Sequence, residues 1–418
     1  MKARLFTLAA VAATTLLSQG VAQSDSLERS LADLNSGLVA PAGNAGVTWG
    51  GDFRLRNEWS DDGVADANNR DFDTRMRLTA SFNITEDSSA FAGFNGSENW
   101  GNTHDFDINT SNVEESGETT ATRVDRAYVT VNNLMGDGGS LKAGRDYYTF
   151  GSGRIMGSSD WDNNPSSQSG VWYAHDMGGM NMHFAMLNQP DGENGTAEGD
   201  DMTYVLSMDY ALDTGALGTI NMTPYIIRRE GDDSDAPLWG TAANWKGATL
   251  SGSVLGFGYD AEYSKSESGN GDGTAWAVST SIDLDVLSSI PGISNGGVDI
   301  SVSSADADYA TNGGIGHGVG GFSDRTGGAA WDNANDITTI GLNFSPAEGW
   351  GGRIAFNDVE TDAEDAFGDA IGDYRETDIS VSHDFNGNVA GWFGYAMVNP
   401  SDGSEDSVTF WTTLSVSF

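Results

Sequence analysis

The sequence predicts an all-β fold, an antiparallel β-barrel of roughly 16–18 strands that crosses a membrane with strands instead of helices. Three observations carry that reading. Apolar residues recur with a period of two over most of the chain, connections alternate between short and long, and an export leader is followed by no apolar stretch long enough to be a spanning helix.

The leader comes first. Lys2 and Arg4 precede an apolar stretch from Leu5 to Leu17, and the small residues Gly20 and Ala22 stand before a cut after Ala22. That order is that of a secretory signal peptide over residues 1–22. The stretch is shorter than the ~20 residues a membrane-spanning helix needs. In the linker 23–46, Leu27, Leu31, Leu34 and Leu38 have helical spacing and predict a short amphipathic helix.

From Val47 to Phe418 the period is two. Over Arg70–Ile84, Met76, Leu78, Ala80 and Phe82 share one face, and Arg75, Arg77, Thr79 and Ser81 the other. Tyr204, Leu206, Met208 and Tyr210 repeat the pattern, as do Trp276, Val278 and Ile282. Successive side chains of a strand point to opposite faces, so each segment has one oily and one wet side. Short turns are expected around Thr85–Ser89, Asn133–Gly139, Met177–Met180, Asp213–Gly218, Lys246–Ala248, Ser345–Gly349 and Asn386–Asn388. Long polar connections are expected at Glu98–Thr120, Asp146–Gly170, Ser266–Gly273 and Ala305–Ala334, among others. A soluble sandwich also alternates, but it hides its oily face in a core and seldom alternates loop lengths along the whole chain. Closure into a barrel removes the free edges that so many strands would otherwise leave.

Composition excludes much else. With 20 Lys+Arg against 61 Asp+Glu, the 418-residue chain carries −41, which rules out a nucleic-acid partner because phosphate binding needs clustered cations. There is no cysteine, so disulfides, thiolate metal sites and cysteine nucleophiles are absent, and five histidines leave little for zinc or triad chemistry. The aromatics, 12 Trp, 12 Tyr and 18 Phe, are too many for an acidic disordered tail.

Two further segments carry a family resemblance. Phe410, Leu414, Val416 and Phe418 alternate up to the last residue, interrupted at Thr412, and resemble the terminal assembly strand of bacterial outer-membrane proteins. Leu141-Lys142-Ala143-Gly144-Arg145-Asp146-Tyr147-Tyr148 resembles the segment leading into the constriction loop of Gram-negative trimeric porins. The resemblance implies short periplasmic turns and long external loops, a homotrimer in the bacterial outer membrane among lipid and lipopolysaccharide, and a third loop, about 146–170, folded into the channel. A count of eighteen strands departs from the sixteen of general porins and leaves open the larger substrate-specific channels.

The scarce cations are informative in their placement. Arg54 and Arg56 alternate with Phe53 and Leu55, and Arg75 and Arg77 with Met76 and Leu78, so each pair points away from lipid, where an arginine would cost ~2–4 kcal/mol at mid-membrane. Arg126 shares a face with Tyr128 and Thr130, while Lys142 and Arg145 have opposite parities and cannot both face inward in regular geometry. The resemblance implies that this basic wall faces an acidic inserted loop bearing Asp160 and Asp162, with Asp146 at its base and Arg154 within it. Opposed charges across an aqueous gap would make a transverse field that filters ions. Acidic runs such as Glu114–Glu118, Glu230–Asp235, Asp306–Asp308 and Asp358–Asp365 make the mouths electronegative, and could hold Ca²⁺ or Mg²⁺ loosely, although none has calcium-loop spacing. No cofactor is implied. Trp49, Trp59, Trp100, Tyr259, Tyr263, Trp350, Tyr374 and Trp392 lie near strand ends and are read as interfacial girdle residues, with a sugar-stacking track inside the channel as the alternative for some of them.

The sequence therefore points to a water-filled channel passing ions and small hydrophilic solutes by passive diffusion, with mild cation preference and no catalysis. A sugar- or anion-specific channel is the nearest alternative. A barrel hydrolase would need a Ser–His pair, for which His175, His183 and His383 are the strand candidates, and a secreted glycosidase would need two inward carboxylates.

Overall fold

The computed structural model describes residues 46–418 except 62–67, 100–120, 190–200, 231–240, 285–292, 311–321, 323–330, 332–334, 362–371 and 402–404, and the turn positions 135, 137, 159, 164, 216–217, 255–256, 269–270 and 294. The signal peptide, the leucine-spaced helix and several acidic runs lie outside them.

Among the described residues every regular element is a strand: β1 Val47–Asp61, β2 Asn68–Thr85, β3 Ser88–Asn99, β4 Ala121–Leu134, β5 Gly139–Tyr147, β6 Ser167–Asp176, β7 Met180–Gln189, β8 Asp201–Asp213, β9 Thr219–Glu230, β10 Thr241–Val254, β11 Phe257–Ser268, β12 Gly271–Asp283, β13 Asn295–Ala305, β14 Asp336–Ser345, β15 Trp350–Glu360, β16 Tyr374–Asp384, β17 Val389–Pro400 and β18 Ser407–Ser417. Each pairs antiparallel with its neighbours in sequence, and β1 pairs with both β2 and β18. The sheet is a closed barrel of eighteen strands, the upper of the two predicted counts. No edge is left over, and every strand can satisfy its backbone within the wall, which is what a bilayer demands.

The alternation sorts the wall as the sequence patterns require. Met76, Leu206, Ile226, Val278, Ile340 and Phe356 stand exposed on the outside as an apolar belt of the kind that meets lipid. In the closing strand Phe410 faces Trp59 across the β1 ladder, Leu414 faces Leu55 and Val416 faces Phe53. The backbones of Phe418 and Gly51 exchange hydrogen bonds at 2.9 and 3.0 Å, so the chain's last residue is stitched into the seam.

Two connections differ from expectation. Lys246–Ala248, read as a turn, lies within the fourteen-residue strand β10. A side chain at Gly247 would meet the Tyr263 carbonyl at 2.1 Å and the Tyr225 hydroxyl at 2.5 Å, so this glycine makes room for a cross-strand tyrosine instead of bending the chain. The long loop expected at Ser266–Gly273 is also absent, because β11 runs to Ser268 and β12 starts at Gly271.

The inner wall is not uniformly wet. Trp172, Ala185, Val205, Ile227 and Trp245 stand opposite one another in register across β6 to β10, on the inward face, and all are buried. Phe150, Ile155, Met156, Tyr309 and Trp331, which come from connections between strands, join them in one apolar cluster. The barrel thus has a small core inside it, built by loops folded inward.

Candidate functional site: the inserted loop and its arginine ladder

Past Tyr147 the chain leaves the wall and returns at Ser167. Its first limb packs on β9 and β11. The Phe150 ring meets Tyr225 edge-on at 4.9 Å, Ser152 donates to Glu262, and Arg154 approaches the same carboxylate at 3.6 Å. Its tip reaches a different part of the wall, where Trp161 sets its edge against Trp392 of β17 at 5.7 Å and Trp411 of β18 at 6.1 Å. The loop therefore crosses the lumen.

The arginines of β1 and β2 receive it. Their registers place Arg54 beside Arg75 and Arg56 beside Asp73 on the inner face. Arg54 donates to the Asp160 carbonyl at 2.9 Å and the Asn163 amide oxygen at 2.8 Å, and Arg56 to the Trp161 carbonyl at 2.9 Å. Arg75 spans the carbonyls of Asp160 and Asp162 at 2.7 and 2.9 Å. Arg77 binds the Asp160 carboxylate at 2.5 Å and Asp52 at 2.7 Å. Asn95 adds a hydrogen bond to the Asn163 carbonyl at 2.8 Å. Arg56 also lies over the Trp161 ring at 4.6 Å while pairing with Asp73 at 2.8 Å.

The guanidiniums thus do not face the loop across a water gap. Arg54, Arg56 and Arg75 are buried against it, and their partners are mostly main-chain carbonyls. Five fixed donors on a planar group let one arginine hold two carbonyls at once. Asp162 takes part through its carbonyl, and Asp160 through both carbonyl and carboxylate. Burial pushes the Asp160 carboxyl up, but the Arg75 and Arg77 charges outweigh it and hold the group below the ordinary carboxylate range.

The remaining predicted residues divide. Lys142 reaches Asp146 at 2.8 Å and lies 4.4 Å over the Trp172 ring. Arg145 donates to Ser167 at 2.8 Å, where the loop rejoins the wall. Gly144, between them, has φ 137°, a conformation that favours glycine, while the pairing register runs through it unbroken. Arg126 lies between the Phe91 and Tyr147 rings, at 4.8 and 4.9 Å. Of the expected girdle, Trp49, Tyr263 and Trp350 are exposed on the outside, whereas Tyr374 is buried within the inner apolar cluster and Trp392 meets the loop inside the barrel. Trp100 lies outside the described residues.

Sequence reasoning missed Asn95, Asn163, Arg123 (which donates to the Pro165 carbonyl at 2.6 Å), Glu262 and the inward placement of Tyr309, Phe322 and Trp331 on the expected long connection after β13. From that connection Phe322 meets Trp392 and Trp411 at 5.6 and 6.2 Å, and Trp331 packs on Tyr309 at 5.5 Å. A signal existed: Val205, Ile227 and Trp245 are large and apolar at wet-face positions, which makes sense only if something covers them. His183 pairs with Asp209 at 2.8 Å. Among the described residues no group of three or more His, Asp or Glu could hold a metal ion, and the acidic runs 114–118, 232–235 and 362–365 lie outside them.

A closed strand-built cylinder with an apolar exterior, a polar ladder inside and a loop across its lumen is a channel of the bacterial outer membrane. The chain belongs to the alginate export family, which it matches over residues 46–319. Among solved structures it is similar to OpdO of Pseudomonas aeruginosa, with TM-score 0.60 and 12% identity over 89% of this chain and 97% of that one. It is also similar to OccAB4 of Acinetobacter baumannii, with TM-score 0.61 and 8% identity over 90% and 99% of the two chains. P. aeruginosa OpdK, crystallised with vanillate, gives TM-score 0.59 and 12% identity over 88% and 98%. These identities show a shared fold. No curated protein matches.

Proposed function

We propose that the chain forms a water-filled channel for passive diffusion of ions and small hydrophilic solutes, with a mild preference for cations. The observation that supports this best is how the basic ladder is used. Arg54, Arg56 and Arg75 direct most of their hydrogen bonds to the inserted loop, Arg56 also pairing with Asp73, and are nearly withdrawn from water, while the Asp160 side chain on that loop keeps 71% of its surface exposed. Asp52, Asp209 and Asp299 also remain accessible on inner-face positions. A lumen lined this way concentrates cations within a Debye length of about 8–10 Å. Because one chain closes one pore, conduction needs no partner. The homotrimer implied by the porin resemblance would appear as conductance steps grouped in threes.

The test is single-channel recording in a planar bilayer under a KCl gradient. A reversal potential on the cation side is expected. An anion-side potential would give control to Arg77, Arg126 and Lys142, and no conductance from folded protein would overturn the channel reading.

A second reading, a channel specific for carboxylated solutes, draws on Arg77 and Lys142, which keep part of their side chains accessible. The family's alginate export role and the vanillate bound in the OpdK structure point the same way. Slowing of ion current by added vanillate or uronate oligomers, but not by uncharged analogues, would favour it.

A further inference from the structure

Away from the arginine ladder, the periplasmic ends of β12 to β16 enclose a recess of about 400 Å³ in the inner wall, within the ~300–1,000 Å³ typical of small-molecule sites. We infer that this recess is a solute subsite for a small polyhydroxylated molecule without negative charge. The inference rests on the channel reading, since a solute reaches the recess through the lumen.

The lining supplies the chemistry. Ser281, Ser345, Ser380 and Ser382 contribute hydroxyls, and Asn343 and Arg353 contribute an amide and a guanidinium. Each hydroxyl can donate or accept by rotating, which is what a ring of vicinal hydroxyls needs from its site. Glycines 296, 297, 351 and 352 keep the floor free of side chains.

Charge decides the class. Arg353 binds Asp299 at 2.8 Å, and Asn343 donates to the other oxygen of the same carboxylate at 2.5 Å. The one lining cation is therefore already neutralised. Asp283, exposed at the edge of the recess, adds a negative charge. An anionic solute would be repelled, whereas a neutral or amino sugar would not.

The polar group is also held in place. A β-carbon at Gly341 would lie 2.5 Å from one Asp299 oxygen, 2.6 Å from the other and 2.8 Å from an Arg353 nitrogen, so the ion pair occupies the space of the missing side chain. Fixed in this way, Arg353 and Asp299 still leave 32% and 27% of their side chains accessible to a ligand. A group already held in its bound geometry loses little freedom when a ligand arrives.

The experiment uses full-length protein folded in detergent micelles, with D-glucose, D-glucosamine and D-glucuronate as probes in saturation-transfer NMR titrations. Saturable signals from glucose and glucosamine, with glucuronate weaker, are expected. Arg353→Ala and Gly341→Ala should each weaken glucose by about tenfold, the worth of one hydrogen bond to a charged group. Arg375→Ala, on the exposed Asp358 pair, should leave it unchanged. Heat-modifiable gel mobility verifies that each variant is folded, and Ser382→Ala is the milder substitute if either is not. Absence of saturable glucose binding, glucuronate as the tightest probe, or identical affinities across the Arg353 and Gly341 variants would overturn the assignment. Because binding is read in micelles and conductance in bilayers, failure of the subsite and failure of the channel reading give separate results.

Discussion

Arg75 holds Asp160 twice, donating to its main-chain carbonyl at 2.7 Å and pairing with its carboxylate at 3.4 Å. The same guanidinium reaches the Asp162 carbonyl, so one strand residue fixes the tip of a loop that crosses the lumen. Pore shape here depends on an arginine's hydrogen-bond geometry as well as on its charge.

Arg75→Ala should therefore release the tip. The variant loses two hydrogen bonds from a charged group, each worth about 1.5–3 kcal/mol, and leaves the Asp162 carbonyl without its arginine donor while Arg54 still holds that of Asp160. Larger and noisier single-channel steps are expected than in the parent. Arg75→Lys should fall between the two, because an ammonium lacks the planar fork. A conductance identical to the parent in both would show that the tip is held by other contacts.

The Asp160 pair predicts a pH response. Its folded value is depressed below the ordinary 3.8, so the stabilisation it gives the loop is full above that value and is lost as pH falls through the lower folded one. Conductance should stay level from neutral pH down past the ordinary carboxylate range and change only in stronger acid. Asp160→Asn should abolish that step, and a transition centred well above 3.8 would assign the response to another group.

Trp411 is 2% exposed and meets both Trp161 and Phe322. Trp411→Ala should cost about 3–5 kcal/mol through the cavity it leaves. The readout is the denaturant midpoint for conversion from the folded to the unfolded gel band, which should fall. Both inward connections should also become more accessible to protease.

Gly247→Ala tests whether β10 is continuous. Its new β-carbon would overlap the Tyr263 carbonyl and the Tyr225 hydroxyl, and overpacking of this kind costs typically about 1–3 kcal/mol. Combining it with Tyr225→Phe should recover part of the loss, since the hydroxyl is one of the two obstacles. Full tolerance of Gly247→Ala alone would mean that the strand can relax there.

Much of the architecture was legible in the residues themselves. Period-two alternation assigned Met76, Leu206 and Val278 to the outside and Arg54, Arg56, Arg75 and Arg77 to the inside, because a strand leaves each side chain only two directions. It failed where glycine has two uses. Gly247 reads locally as a turn, and only the position of Tyr225 on the neighbouring strand shows it to be a clearance. Tyr374 and Trp392 failed similarly: an aromatic near a strand end suits an interface equally well from either face, and the inward loops fixed which face was covered.

By itself, then, the sequence determined that the chain is a strand-built barrel with a polar, partly basic interior, since alternation and charge are properties of side chains. Tertiary structure alone decided that the arginines grip the loop instead of facing it across water. Most of the contacts that Arg54, Arg56 and Arg75 make with the loop are to main-chain carbonyls, which every residue type carries alike, so the order of side chains at 160–163 announced only the Asp160 carboxylate.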